Sequence, residues 1–290
     1  MRIFNDSNPI AVALYFVAVS FIAMFCSNPF IQTISLFGAI LLFLMRNGRK
    51  NARSHLFALI LFVVMILINP LVSHNGATVL LIVNNNPVTL EAILYGISAA
   101  VSVIGASYWF RSFSQIMTGD KLLYIFGAFS PKLALILSMA LRYVPLFGRQ
   151  AEKVNNAQKA LGLYRDDNIV DKTKGGVRVF SIMITWALEN GIITADSMTA
   201  RGYGIGRRSH FSLFRFRTGD VILLSATILL TAFTIIGIRG QSFEFYPTIS
   251  VTPFDPLSAA GCISYGIMVL IPAIIGVKEE LKWKYLRSKI

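Results

Sequence analysis

The chain has 290 residues, of which 55% are hydrophobic and only 14% charged, and its net charge is +13. So much apolar surface exceeds what one soluble core can hide, which excludes an ordinary soluble domain and predicts an all-α, polytopic integral membrane protein. The basic excess would suggest nucleic acid on a single soluble face, but lysine and arginine collect in the gaps between apolar runs, so the bilayer is the expected partner and nucleic acid is not.

Arg2 and the run Ile10 to Phe25 have the outline of a signal peptide, and Cys26 that of a lipidated cysteine. Phe25 is too bulky for either cleavage site, so the run is expected to stay as a first span. A membrane helix needs about 20 mainly apolar residues, fewer when it is buried among neighbours. Spans are predicted near 10–26, 30–45, 55–70, 88–110, 220–238 and 258–277, with Ser27-Asn28-Pro29 a tight turn between the first two. Leu122 to Phe147 is a further apolar segment, broken by Pro131 and Pro145 and carrying Lys132 and Arg142, and is expected to insert only partly. Glu91 begins a span and is expected to cap it. Cys26 and Cys262 show no metal or disulfide spacing and read as small buried hydrophobes.

The distribution of basic residues predicts orientation. Arg46, Arg49, Lys50 and Arg53 crowd one connection, twelve Lys or Arg lie from Arg149 to Arg217, and five lie from Lys278 to Lys289, whereas residues 54–110 hold none. These three basic regions are assigned to the cytoplasm and the Asn84-Asn85-Asn86-Pro87 loop to the outside. Both termini are then cytoplasmic in a multi-pass protein of the cell inner (plasma) membrane, with six full spans. Three regions follow: N-terminal membrane helices (1–120), a region of two long amphipathic helices at the cytoplasmic face (121–219), and C-terminal membrane helices with a basic tail (220–290).

In the middle region polar residues recur at Ser138, Arg142, Arg149, Lys153 and Asn156, a helical pattern that ends at Asn156-Ala-Gln-Lys-Ala-Leu-Gly162. A second helix is predicted from about Gly176 to Arg201, with a narrow polar stripe of Arg178, Ser181, Thr185 and Glu189 on a wide apolar surface. About 25 residues at 1.5 Å each reach nearly 40 Å, enough to carry a helix tip to a peripheral partner. The lone charges Arg142 and Glu189 are expected to pair where the two helices cross. Both helices end alike, in Ala160-Leu-Gly162 and Ala200-Arg-Gly202, which reads either as a paired device or as two ordinary glycine caps.

The blocks Asn69-Pro-Leu-Val-Ser-His74, Asn86-Pro-Val-Thr-Leu-Glu91, Ser138-Met-Ala-Leu-Arg-Tyr-Val-Pro145, Asn156-Ala-Gln158 and Ala195-Asp-Ser-Met-Thr-Ala-Arg-Gly-Tyr203 resemble, in order and spacing, the transmembrane T component of energy-coupling factor (ECF) transporters. These are ABC importers for vitamins and for cobalt or nickel. The resemblance implies a scaffold that binds two cytoplasmic ABC ATPases through two coupling helices and a small membrane S component that captures substrate. It places ATPase-coupling roles on Ala200, Arg201 and Gly202 and, at the first motif, on Gln158, Lys159, Ala160, Leu161 and Gly162. Leu161 stands where that family often has arginine, so either Lys159 or Arg165 supplies the charge there or the contact is apolar.

There is no phosphate-binding Gly-x-x-x-x-Gly-Lys-Ser/Thr loop, so ATP and Mg²⁺ are expected on partner subunits, with no cofactor in this chain and no catalysis by it. Asp166-Asp167 has no second acidic motif to share a metal, and His55, His74 and His210 are scattered, so no metal site is expected. Two alternatives stay open: a self-sufficient secondary transporter, and a membrane-embedded transferase using Asp166-Asp167.

Overall fold

The computed structural model describes residues 4, 7–47, 52–73, 75–83, 86–163, 169–206, 214–239, 241, 243–251 and 255–287. In chain order the elements are α1 (Pro9–Phe25), α2 (Pro29–Asn47), α3 (Ala52–Val72), β1 (Val79–Val83), β2 (Asn86–Thr89), α4 (Leu90–Ile116), α5 (Gly119–Phe129), α6 (Pro131–Ala160), α7 (Ile169–Ala200), α8 (Thr218–Ile238), β3 (Phe243–Glu244), β4 (Ser250–Val251) and α9 (Pro256–Arg287). They form two compact units, one of residues 1–118 with 214–290 and one of residues 119–213.

Seven helices, α2, α3, α4, α6, α7, α8 and α9, are long and apolar enough to cross a membrane, while α1 has 17 residues and is shorter. The chain is therefore a multi-pass, all-α membrane protein. Six spans were predicted from the sequence; length and composition add α6 and α7 to those candidates. Pro145 lies inside α6 without ending it, and the break in the apolar segment falls at Ser130, before Pro131. Nor do Gly175 and Gly176 start α7, which already begins at Ile169.

In the first unit α1 packs on α4 and α8, α2 on α4 and α9, α3 on α4, and α8 on α9. The core gathers along one face of α1, where Val12, Tyr15, Phe16 and Val19 are buried with Trp109 of α4 and Met268 of α9. Two tyrosines tie α1 to α9 reciprocally: Tyr15 Oη donates to the Met268 carbonyl at 3.0 Å, and Tyr265 Oη to the Val19 carbonyl at 3.3 Å. Lipid offers no hydrophobic drive for helices to associate, so such bonds and close backbone approach do the work. The approach is closest between α8 and α9, where a β-carbon on Gly237 would stand 2.7 Å from Gly261 Cα.

One carboxylate anchors two helix starts. Asp220, buried in the first turn of α8, accepts from the Asn8 backbone N–H at 2.9 Å and from the Arg217 backbone N–H at 3.0 Å. Asn8 in turn caps α1, its side chain accepting from Ile10 N–H at 3.0 Å. Two antiparallel ribbons join helices of this unit, β1 with β2 and β3 with β4. The sequence reading did not foresee them, because Val79–Val83 is as apolar as a membrane segment and too short for one.

The second unit is built differently. Among the described residues of α5, α6 and α7, only Lys121, Gln158 and Gly175 are buried. The helices α6 and α7 meet through Tyr143 Oη and Thr194 Oγ1, 2.7 Å apart, and through an edge-to-face contact of Phe147 with Trp186. Large apolar side chains such as Phe180, Leu188 and Ile192 stay exposed. A unit with so little core of its own presents its apolar faces to lipid or to other proteins.

Candidate partner-docking site

The ends of α6 and α7 are closed by the same backbone motif. At α6, Gly162 N–H donates to the Lys159 carbonyl at 3.0 Å and Leu163 N–H to the Gln158 carbonyl at 3.2 Å. At α7, Gly202 N–H donates to the Thr199 carbonyl at 2.9 Å and Tyr203 N–H to the Met198 carbonyl at 3.0 Å. These nested bonds define a Schellman cap, which needs a left-handed residue just past the helix. Gly162 and Gly202 supply it with φ of 66° and 82°, a conformation that costs any residue with a β-carbon. Leu161 and Arg201 are the capping residues of the two ends.

Of the residues the sequence singled out, Lys159, Ala160, Leu161, Gly162, Ala200 and Arg201 are exposed at these two ends, and Gly202 is half-buried. Leu161 is 74% exposed, more than any other leucine among the described residues, which leaves its alkyl group open to a partner. Gln158 differs: it is buried, with neither its Oε1 nor its Nε2 hydrogen-bonded. Its side chain is thus not on the exposed surface shared by its neighbours.

The expected ion pair of Arg142 and Glu189 is not formed. Both side chains are exposed, and the crossing at this level is made by Tyr143, Thr194, Phe147 and Trp186. The cause is helical phase: Arg142 and Glu189 are each offset from the positions that face the neighbouring helix. Arg165, Asp166, Asp167, His74, His210, Arg49, Lys50, Asn84 and Asn85 lie outside the described residues.

Sequence reasoning missed the apolar residue that follows each glycine. Leu163 is 46% exposed and Tyr203 44%, and the next turn after α7 carries Ile205 at 86%. The signal was present, since a Schellman cap commonly has an apolar residue directly after its glycine. Each end therefore offers a capping side chain flanked by exposed apolar groups. The capping side chain is apolar at one end, where Lys159 stands exposed two positions before it, and cationic at the other.

Two of the motif blocks prove to be architectural. Asn69 Nδ2 donates to the Ala92 carbonyl at 2.6 Å, linking α3 to α4. Thr89, not Glu91, is the N-cap of α4, its hydroxyl accepting from Ala92 N–H at 3.3 Å. Glu91 instead turns back on the preceding loop and accepts from Thr78 Oγ1 at 2.8 Å. These blocks knit one end of α3 to the start of α4 and lie in the other unit from the caps. Cys26 and Cys262 are free thiols and half-buried, and among the described residues no three His, Cys, Asp or Glu stand close enough to hold a metal ion.

Comparison with known proteins adds to this geometry. A family model described as cobalt transport protein, CbiQ, matches residues 2–212. Curated relatives include the energy-coupling factor transporter transmembrane protein EcfT 1 of Listeria monocytogenes, 33% identical over 102 residues, covering 34% of this chain and 38% of the relative. The corresponding protein of Lactobacillus helveticus is 30% identical over 118 residues, covering 40% of this chain and 43% of that one. The chain thus matches about two fifths of the length of these relatives.

Proposed function

Because the chain belongs to the CbiQ family of cobalt transport proteins, we propose that it is the transmembrane scaffold of an ECF-type ABC importer, coupling two cytoplasmic ATPases to a small S component that captures a micronutrient, either a vitamin or a metal ion. In this reading the chain performs no catalysis, and ATP and Mg²⁺ belong to the partner subunits. α6 and α7 are the coupling helices, and their capped ends each seat in one ATPase.

The observation that carries the reading is the likeness of the two ends: the same cap, the same left-handed glycine and an apolar follower at each, Leu163 and Tyr203, with capping side chains of opposite character. A pair of similar ATPases calls for a pair of similar pegs. The sparse burial of α5, α6 and α7 supports it too, since apolar helices without a core of their own need partners. Arg201 presents a planar guanidinium suited to carboxylate or carbonyl groups, and Leu161 an alkyl knob for an apolar groove. The two contacts then differ in chemistry, one ionic and one hydrophobic.

The test is co-expression with ABC ATPases and a small membrane S component from the same genome, followed by affinity purification in detergent. A complex holding two ATPases per scaffold, and ATP-driven uptake after reconstitution into vesicles, are expected. Substrate accumulation driven by an ion gradient in vesicles holding this chain alone would return the choice to a secondary transporter.

A further inference from the structure

The first unit contains a cavity of about 940 Å³ that the coupling reading does not use. It runs along α4 from Tyr95 to Arg111, sixteen residues of helix or about 24 Å, against a hydrocarbon core about 30 Å thick. Its α4 wall carries Ser98, Ser102 and Ser107, yet each hydroxyl is already committed. Ser98 donates to Gln32 Oε1 at 2.6 Å, Ser102 to the Ala23 carbonyl at 3.2 Å, and Ser107 to the Val103 carbonyl at 2.8 Å. With those protons turned away, and with Val103 on α4 and Leu61 on α3 also lining the cavity, the wall is mainly apolar to an occupant.

The two ends differ in charge. At one end Arg111 donates to Ser54 Oγ at 2.5 Å and lies 5.9 Å from the centre of the Phe43 ring, with no carboxylate against it. At the other end are Tyr95, Tyr246 and the carboxylate Glu244. Ser54 follows directly on the basic connection of Arg46, Arg49, Lys50 and Arg53. Two more nitrogens near the same helix ends, Arg46 Nη1 and His55 Nε2, are buried without a hydrogen-bond partner, while His55 Nδ1 and Tyr108 Oη are 2.8 Å apart.

We propose that this cavity is a binding site for one anionic glycerophospholipid, its phosphate on Arg111 and Ser54 and an acyl chain laid along α4. A guanidinium binds phosphate oxygens through charge-assisted hydrogen bonds, and a cluster of basic residues at a membrane surface draws anionic lipid toward it. Glu244 at the far end repels a phosphate and sets which way round the lipid lies. A long, mainly apolar wall ending in one cation matches a lipid better than a soluble metabolite, which would need polar groups free to bind it along its length. The site is independent of the docking ends of α6 and α7.

The experiment is native mass spectrometry of the full chain in detergent, titrated with dioleoyl phosphatidylglycerol or dioleoyl phosphatidylcholine. One phosphatidylglycerol is expected to bind in preference. Arg111→Gln should weaken it about tenfold or more, as loss of a charge-assisted hydrogen bond implies, and Arg111→Lys less. Ser107→Phe, at an exposed position of the wall, should weaken both lipids by filling the groove while leaving Arg111 in place. Size-exclusion profiles matching the parent protein establish that the variants are folded. Equal binding of the two lipids with no effect of Arg111→Gln overturns the headgroup site. Glycerol phosphate competing as well as the lipid overturns the chain groove. A photocrosslinker at Ser102 that captures a partner subunit in the assembled complex, and no lipid, overturns both.

Discussion

Leu161 and Arg201 occupy the same backbone position at two helix ends, each one residue before a left-handed glycine and inside the same pair of nested hydrogen bonds. The backbone of the two ends is therefore alike, and the difference at the capping side chain is open to exchange. Arg201→Ala and Arg201→Glu are expected to leave the protein folded in the membrane but to reduce ATPase co-purification, the glutamate more strongly. An arginine hydrogen-bonded in a desolvated groove contributes about 2 to 5 kcal/mol. Arg201→Lys should keep the charge and lose the planar fork, restoring part of the binding. Leu161→Ala should cost less, and Leu161→Arg should hold ATPases at least as well as the parent protein. Undiminished ATPase recovery with Arg201→Glu, at equal abundance, would falsify the ionic role.

The glycines after those caps are expected to matter through backbone geometry. Gly202→Val forces a β-branched residue into a left-handed conformation, at about 1–2 kcal/mol, and unwinds the turn that holds Arg201. Gly202→Asn should be nearly tolerated, since asparagine reaches that conformation more readily. Limited proteolysis near residue 203, alongside ATPase recovery, checks this: both should change with valine and neither much with asparagine.

Asp220 is predicted to be a point of structural failure in the other unit. It is buried and accepts from the backbone N–H groups of Asn8 and Arg217, so Asp220→Ala takes the acceptor from one buried and one partly buried donor. The expected loss is about 2 to 3 kcal/mol, with Asp220→Asn retaining part of it through its remaining acceptor oxygen. Thermal unfolding in detergent measures the difference, and equal melting of the alanine variant and the parent protein would remove the anchor from the account.

Orientation is open to direct measurement. With Cys26 and Cys262 replaced by alanine, a cysteine at the exposed Thr248 should react with an impermeant thiol reagent applied to intact cells, and one at the exposed Lys174 should react only after lysis. Labelling of Lys174→Cys in intact cells would reverse the assignment of sides.

Much of the fold was legible because membrane helices announce themselves by length and apolarity. The segments predicted near 30–45, 55–70, 88–110, 220–238 and 258–277 correspond to α2, α3, α4, α8 and α9. Glycine after Leu161 and after Arg201 was legible as a cap, because few other residues take that conformation. The pairing of Arg142 with Glu189 was not legible, since which face of α6 meets α7 depends on a crossing set by Tyr143, Thr194, Phe147 and Trp186. The role of Glu91 was misread for a related reason: Thr89 two positions earlier caps the helix, leaving Glu91 free to bind the loop at Thr78. The short ribbons escaped because Val79–Val83 gives no polar alternation to separate a strand from a membrane segment.

The reciprocal tyrosines of α1 and α9 bear on how force travels. Each hydroxyl holds a carbonyl of the opposite helix, Tyr15 on Met268 and Tyr265 on Val19. Sliding α1 along α9 by half a helical turn, about 2.7 Å, would pull both hydroxyls off their acceptors before the next carbonyls come into reach. A piston stroke between these helices thus costs two hydrogen bonds, while tilting them together breaks neither. In the proposed coupling role, work delivered to either helix passes more readily by swinging the pair than by sliding one helix past the other.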